Sequence, residues 1–154
     1  MSKPLSLRQE QVLQATVHHY VDTMEPVGSR TLVQRFGIPA SIVLANGLLH
    51  TLAGTSVSAQ TANNYFALPC GNDWTGERKT IGGACARTYD TAWLSFRDHS
   101  LYITTGRFQP MTQFSRTDYA KWAAGLQELG FNGTTDLATQ LVRTIERYGL
   151  GRFD

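Results

Sequence analysis

The sequence predicts an α+β fold: a mainly helical domain with one small β-hairpin lobe. Two observations carry this. Stretches 6–22, 91–103, 116–130 and 134–150 place apolar residues at three- and four-residue spacings, and 38–56 is apolar nearly all round. One stretch, Ala67–Asp90, breaks that period with turn formers every few residues, among them Pro69, Gly71, Gly76, Gly82 and Gly83. Length and composition agree. A chain of 154 residues suits one domain, and 42% hydrophobic with 17% charged residues is too apolar for a disordered segment.

The elements follow in order. In SLRQEQVLQATVHHYVD (6–22), Leu13, Val17, Tyr20 and Val21 form a stripe flanked by Val12, and Ser6 with Gln9 fits a capping box. Pro26 and Gly28 break this helix, Ser29 caps a short second one, RTLVQRF, and Gly37 closes it. Ser41 or Pro39 opens the stretch 38–56, whose Ile42, Leu44, Ala45, Leu48, Leu49 and Leu52 mark a buried helix. Asn46, Gly47 and His50 interrupt it and need a reason. Residues 57–66 read as a short helical turn running into NNYF. The lobe over about 67–90 is expected to be a hairpin or irregular. Trp93, Phe96, Leu101 and Tyr102 mark the next helix, RFQPMTQFS a loop, and RTDYAKWAAGLQELG a helix with a Thr or Ser cap ending at Gly130. The closing helix carries Leu137, Leu141, Val142, Ile145 and Tyr148 on one face. No internal repeat is visible.

Charge and targeting narrow the function classes. Fourteen Lys and Arg against 12 Asp and Glu leave a net charge of +2 with no basic run, so no nucleic-acid footprint is present. No apolar run approaches the roughly 18–20 residues of a membrane span. MSKPLSLRQEQ turns polar where a signal peptide needs about 7–15 apolar residues, so no export address is expected. Cys70 and Cys85 make no four-ligand zinc pattern; they read as a lone disulfide, two buried thiols, or neither. No metal and no cofactor are expected.

Two resemblances meet in the chain. GIPASIVLANGLLHTLAGTS, AQTANNYFALPCGNDWTGE, CARTYDTAWLSFRDHSLYI, DYAKWAAGLQELGF and LVRTIERYGLGRFD run in the order and spacing of the bacterial glucosaminidases. Residues 38–154 thus resemble the mannosyl-glycoprotein endo-β-N-acetylglucosaminidase type, which cuts peptidoglycan on a lysozyme-like fold. Residues 5–37, LSLRQEQVLQATVHHYVDTMEPVGSRTLVQRFG, are similar to the N-terminal helix-turn-helix of the heat-inducible transcription repressors. The chain leaves that second pattern at PAS, where a recognition helix should begin. This implies a fused, recombined or designed hybrid, one domain over 1–154 with repressor-like helices in 1–37.

The glucosaminidase resemblance implies site residues. The family's acid is a Glu in a string like LLESGAG; here LLHTLAG puts His50 in its place, followed by Thr51 and Leu52. An imidazolium donates a proton, but an unperturbed pKa near 6.5 leaves it partly charged at neutral pH. The alternative is a polar cleft residue or a satisfied core histidine. The family's Tyr, in a string like GYATDPxYA, becomes Phe131 in GFNGTTDLA, and Thr134 and Leu137 also depart. Phe131 is read as a core aromatic. Asn63, Asn64, Tyr65 and Phe66 keep the family's asparagine pair, which either shapes the cleft floor or ends a helix and caps a turn. Asp73 and Glu77 are the candidate second carboxylates, or surface turn acids. Trp74 is the candidate sugar platform, whereas Trp93 and Trp122 fall on core stripes. Asp98 and His99 face different ways on a helix, which argues against a dyad, and His18 and His19 face solvent. Cys70 and Cys85 end the two arms of a hairpin, where facing Cβ atoms approach bonding geometry, so a bridge is expected.

The resemblance implies binding of peptidoglycan or a chitooligosaccharide, with hydrolysis put in doubt by His50 and Phe131. A DNA-binding regulator is the alternative; without a recognition helix, specific DNA binding is not expected. A hybrid without selected function is the third class.

Overall fold

The computed structural model describes residues 5–25 and 35–154. The break at Pro26 and Gly28 and the Ser29 cap lie outside the described residues. Among the described residues, no helix is long and apolar enough to cross a membrane.

Helix α1 spans Leu7–Met24 and opens with both halves of the capping box: Ser6 Oγ accepts from Gln9 N–H, and Gln9 Oε1 accepts from Ser6 N–H. It buries Val17, Tyr20 and Val21. Helix α2, Ala40–Thr51, is the central rod, buried from Ala40 through Leu48. Pro39 stands at its N-cap without a side chain to offer. Ser41 sits inside the first turn, where its N–H and hydroxyl donate to the Asp154 carboxylate at 2.7 and 2.6 Å. The last residue of the chain therefore caps the central helix. Helix α3, Val57–Ala62, starts on the Ser56 hydroxyl and ends at Asn63 in the left-handed region.

The lobe is both irregular and a hairpin. Strands β1 (Arg78–Ile81) and β2 (Ala84–Arg87) pair antiparallel, with Thr80 opposite Cys85, across a turn whose Gly82 and Gly83 have φ of +59° and +80°. Positive φ at both central residues is what a two-residue hairpin turn demands. A bridge from Pro69 to Ala86 and a disulfide from Cys70 to Cys85 fasten the preceding loop to β2.

Helix α4, Ala92–Tyr102, is capped by Thr91 and buries Ser95, Phe96, His99 and Ser100. Trp93 is 36% exposed and does not join the core, because the buried face of α4 runs through Phe96 and His99 instead. RFQPMTQFS is not a loop. Residues Gly106–Gln113 form a 3-10 helix that carries Pro110 and buries Phe108 and Met111, three positions apart on one face. Helix α5, Tyr119–Glu128, is capped by Asp118 rather than by Ser or Thr, since Asp118 Oδ1 accepts from Lys121 N–H. Gly130 follows in the left-handed region. Helix α6, Leu137–Tyr148, packs along α5 and α2 and buries Leu137, Leu141 and Ile145. Arg147 on α6 pairs with Glu10 on α1. The helices thus enclose α2, and the lobe projects beside the ends of α3 and α4.

Candidate functional site

The site begins at the C-terminal end of α2, where the three interruptions of its apolar surface find their reasons. Gly47 leaves room for Tyr20 and Phe66, since a Cβ there would stand 2.3 Å from the Tyr20 hydroxyl. Asn46 is fully buried and its Nδ2 lies 2.8 Å from Nε2 of His99. An amide nitrogen only donates, so Nε2 of His99 is the acceptor and its Nδ1 carries the hydrogen. The His99 ring stacks on Phe66 with centroids 3.8 Å apart. Burial pushes the His99 pKa down to about 3, with His50 nearby adding to the effect, so the ring is neutral throughout the physiological range.

His50, which the sequence resemblance puts in the place of the family's acid, is half-buried. Its Nδ1 lies 2.8 Å from the carbonyl of Asn46, one turn back. A carbonyl only accepts, so Nδ1 carries the hydrogen and Nε2 faces away as a lone pair. Burial lowers the His50 pKa, and the backbone hydrogen bond only partly opposes it. The Phe131 ring meets His50 edge-on, with centroids 5.6 Å apart, and is buried among His99, Tyr102 and Phe108. Thr134 is half-buried beyond it, and Leu137 is core. Thr51 donates its hydroxyl to the Gly47 carbonyl, and Leu52 ends α2 in the left-handed region at φ +51°.

A second group joins the lobe to the helices. Asn64 is buried, and its side chain accepts from the N–H groups of Phe66 and Leu68 and donates to the carbonyls of Leu68 and Arg87. Asn63 donates to the Tyr89 carbonyl at 3.0 Å. Both amides are engaged with backbone, and they hold the end of β2 and the residues after it against the end of α3. Tyr65 turns the other way, packing on Phe96 and lining a small pocket with Tyr20 and Gly54. Trp74 is half-buried and donates its indole N–H to the Glu77 carbonyl at 2.8 Å, while Arg87 lies 4.8 Å over its ring. Asp73 is almost fully exposed, 3.8 Å from Arg87, and Glu77 is exposed.

The residues that tie these groups together are Arg87, Tyr89, Asp98 and Tyr102. Asp98 accepts from Arg87 Nη1 at 2.9 Å and from the Tyr89 hydroxyl. Arg87 also lies 5.6 Å over Tyr102, whose ring reaches Phe131. Burial raises the Tyr89 pKa far above its ordinary value, with Asp98 adding to the effect, so the phenol stays protonated and donates. Arg87 ends β2 and Tyr89 follows two residues on, and both side chains reach Asp98. That spacing is the signal the sequence holds for the pair; Asp98 carries no such signal, and its neighbour His99 is buried in the core.

Comparison with known proteins fits this architecture. The chain is similar to exo-glucosaminidase LytG of Bacillus subtilis (strain 168), 26% identical over 171 residues that cover 100% of this chain and 59% of LytG. A peptidoglycan hydrolase structure from Sphingomonas sp. A1 superposes with a TM-score of 0.73 at 25% identity, over 91% of this chain and 92% of that one. The fold is accordingly the lysozyme-like α+β fold. An N-terminal part of the chain is 92% identical over 67 residues to the heat-inducible transcription repressor HrcA of Synechococcus sp. (strain CC9902), covering 44% of this chain but 21% of the repressor. The model of the family described as glucosaminidase, mannosyl-glycoprotein endo-beta-N-acetylglucosaminidase, matches residues 29–150, and the chain belongs to that family.

Proposed function

We propose that this protein binds peptidoglycan or a related N-acetylglucosamine polymer on its glucosaminidase fold, with glycosidic-bond hydrolysis impaired or lost. Family membership supports the polymer class, and the likeness to LytG and to the Sphingomonas hydrolase supports the cell wall as its source. Residues 1–154 are read as one domain, because α1 contributes Val17, Tyr20 and Val21 to the same core as α2.

One observation carries the loss of hydrolysis: the state of His50. Its N–H is held on the Asn46 carbonyl, and burial favours the neutral ring. A neutral imidazole in this tautomer has no proton to deliver to a leaving glycosidic oxygen. It also offers no negative charge to an oxocarbenium-like transition state. Losing the general acid alone costs roughly 10²–10⁴-fold in rate. The rival, a DNA-binding regulator, draws on the HrcA likeness. Against it, the described part of that segment buries its apolar stripe in the glucosaminidase core.

The test combines co-sedimentation with purified cell walls, a turbidity assay and a DNA-binding assay. The protein is expected to pellet with the walls without clearing them, and to show no sequence-selective DNA binding at physiological salt. Failure to pellet, rapid clearing, or salt-resistant selective binding near about 10⁻⁸ M would overturn the reading.

A further inference from the structure

The loop that leads into β1 is anchored at its start. Leu68 is core, its N–H donates to the Asn64 side chain and its carbonyl accepts from it, and the Pro69 carbonyl accepts from Arg87 Nε at 2.7 Å. The Cys70–Cys85 bridge comes next. Beyond it, residues 71–73 and 75–77 are exposed and Trp74 alone turns inward. Trp74 bonds locally to the Glu77 carbonyl, and it meets the body of the molecule through the Arg87 guanidinium, 4.8 Å over its ring, and the Tyr89 ring at 5.5 Å. A cation over an aromatic face near solvent is a weak contact. Asp73, 3.8 Å from Arg87 but almost fully exposed, adds little. The bridge is therefore the firm tie that keeps Trp74 in place.

That tie is open to exchange from one side. Cys85 lies on the exposed part of β2, whereas Cys70 is 3% exposed, so a thiolate arriving from solvent meets the Cys85 sulfur first. Exposed bridges are the reducible kind. We infer that the Cys70–Cys85 bridge is a redox latch for Trp74: oxidised, it holds the indole on Arg87; reduced by a dithiol, it releases the loop while the helices keep their packing. One thiolate of the dithiol bonds to Cys85 Sγ as the bond to Cys70 breaks, and Cys70 leaves as a thiolate that takes up a proton. The second thiolate of the reductant then displaces Cys85, which is protonated in turn. Both electrons come from the dithiol, which ends as a disulfide. Trp74 walls the pocket between the lobe and α4, so a ligand seated against its ring loses a preorganised face when the latch opens. That last step rests on the wall-polymer reading above; the latch does not.

Acrylamide quenching of tryptophan fluorescence in the full chain tests the latch. In Trp93→Phe the remaining indoles are Trp122, which is fully buried, and Trp74, so quenching reports on Trp74. Dithiothreitol is expected to raise quenching about twofold or more and reoxidation to reverse it, with the far-ultraviolet circular dichroism unchanged. Cys85→Ser in the same background should be quenched like the reduced protein in either buffer. A monothiol, 2-mercaptoethanol, should leave its adduct on Cys85. Equal quenching of the oxidised and reduced protein, an adduct on Cys70, or a loss of helical signal with the bridge would overturn the inference. Co-sedimentation with purified cell walls reads the consequence: binding is expected to weaken about threefold or more on reduction, and equal binding in both states would overturn that step. A protein that pellets in neither state, beside a reversible change in quenching, removes the wall-polymer reading and leaves the latch standing.

Discussion

Tyr20 occupies a notch that Gly47 leaves open, so the phenol of helix α1 rests on the backbone of helix α2. A Cβ at Gly47 would stand 2.3 Å from the Tyr20 hydroxyl and 3.3 Å from Phe66. The hydroxyl is buried without a partner among the described residues, and burial drives its pKa far above the ordinary value. The contact joins α1, which lies outside the matched span 29–150, to α2, which lies inside it.

Gly47→Ala is expected to destabilise the fold by about 1–3 kcal/mol, since a rigid ring cannot yield as a flexible chain end does. Tyr20→Phe, which removes an unpaired buried hydroxyl, should be near neutral and should recover much of that loss in the double variant. Urea unfolding of the four proteins measures the coupling. Additive effects would mean that the contact is not where the strain resides.

The second expectation concerns the missing acid. His50→Glu restores a carboxylic acid at the end of α2, where partial burial raises its pKa toward a useful range. Wall-clearing activity should rise above the wild-type level. Phe131→Tyr should add to it, provided its hydroxyl finds an outlet from a ring that is 1% exposed. A folded double variant with no gain would show that more than these two positions holds activity back.

Acid should unfold the protein early. An unfolded histidine takes up a proton near pH 6.5, whereas folded His99 resists down to about 3. Its neutral state therefore stabilises the fold fully above pH 6.5, and that contribution is lost progressively as pH falls toward 3. Between pH 7 and 5 the loss from this one group is about 2 kcal/mol, and His50, shifted the same way, adds to it. Chemical denaturation at both pH values measures the fall. In His99→Gln the difference between the two should shrink by about that amount; an unchanged difference would assign it to other groups.

The Cys70–Cys85 bridge closes a loop with a separation of 15 residues, and the hairpin beyond it is mostly exposed. Such a crosslink contributes about 3 kcal/mol on the chain-entropy account. A dithiol reductant, or Cys70→Ala with Cys85→Ala, should lower stability by that order. Hydrogen exchange should rise first at the amides of 78–87 while those of α2 remain protected. Loss of protection spread evenly over the molecule would instead make the bridge a support of the whole core.

Local chemistry made much of this molecule readable in advance. The Ser6–Gln9 box closes as its spacing requires, α2 is buried because it is apolar around its circumference, and paired glycines turn the hairpin at 82–83. Each depends on residues within a few positions of one another, so a local pattern suffices. Other features were decided only when the chain folded. Ser41 finds its cap in Asp154, a separation of 113 residues, and Asp98 finds Arg87 and Tyr89 across the lobe boundary. Trp93 shares the helical spacing of a core residue yet remains 36% exposed, because the partner surface lies along Phe96 and His99. Periodicity says that a side chain has a preferred face; only the path of the rest of the chain says what stands opposite it. The same holds for His50, which the sequence marks only as a polar break in an apolar helix. Its tautomer and neutral charge follow from the Asn46 carbonyl and from the burial that Phe131 and His99 impose.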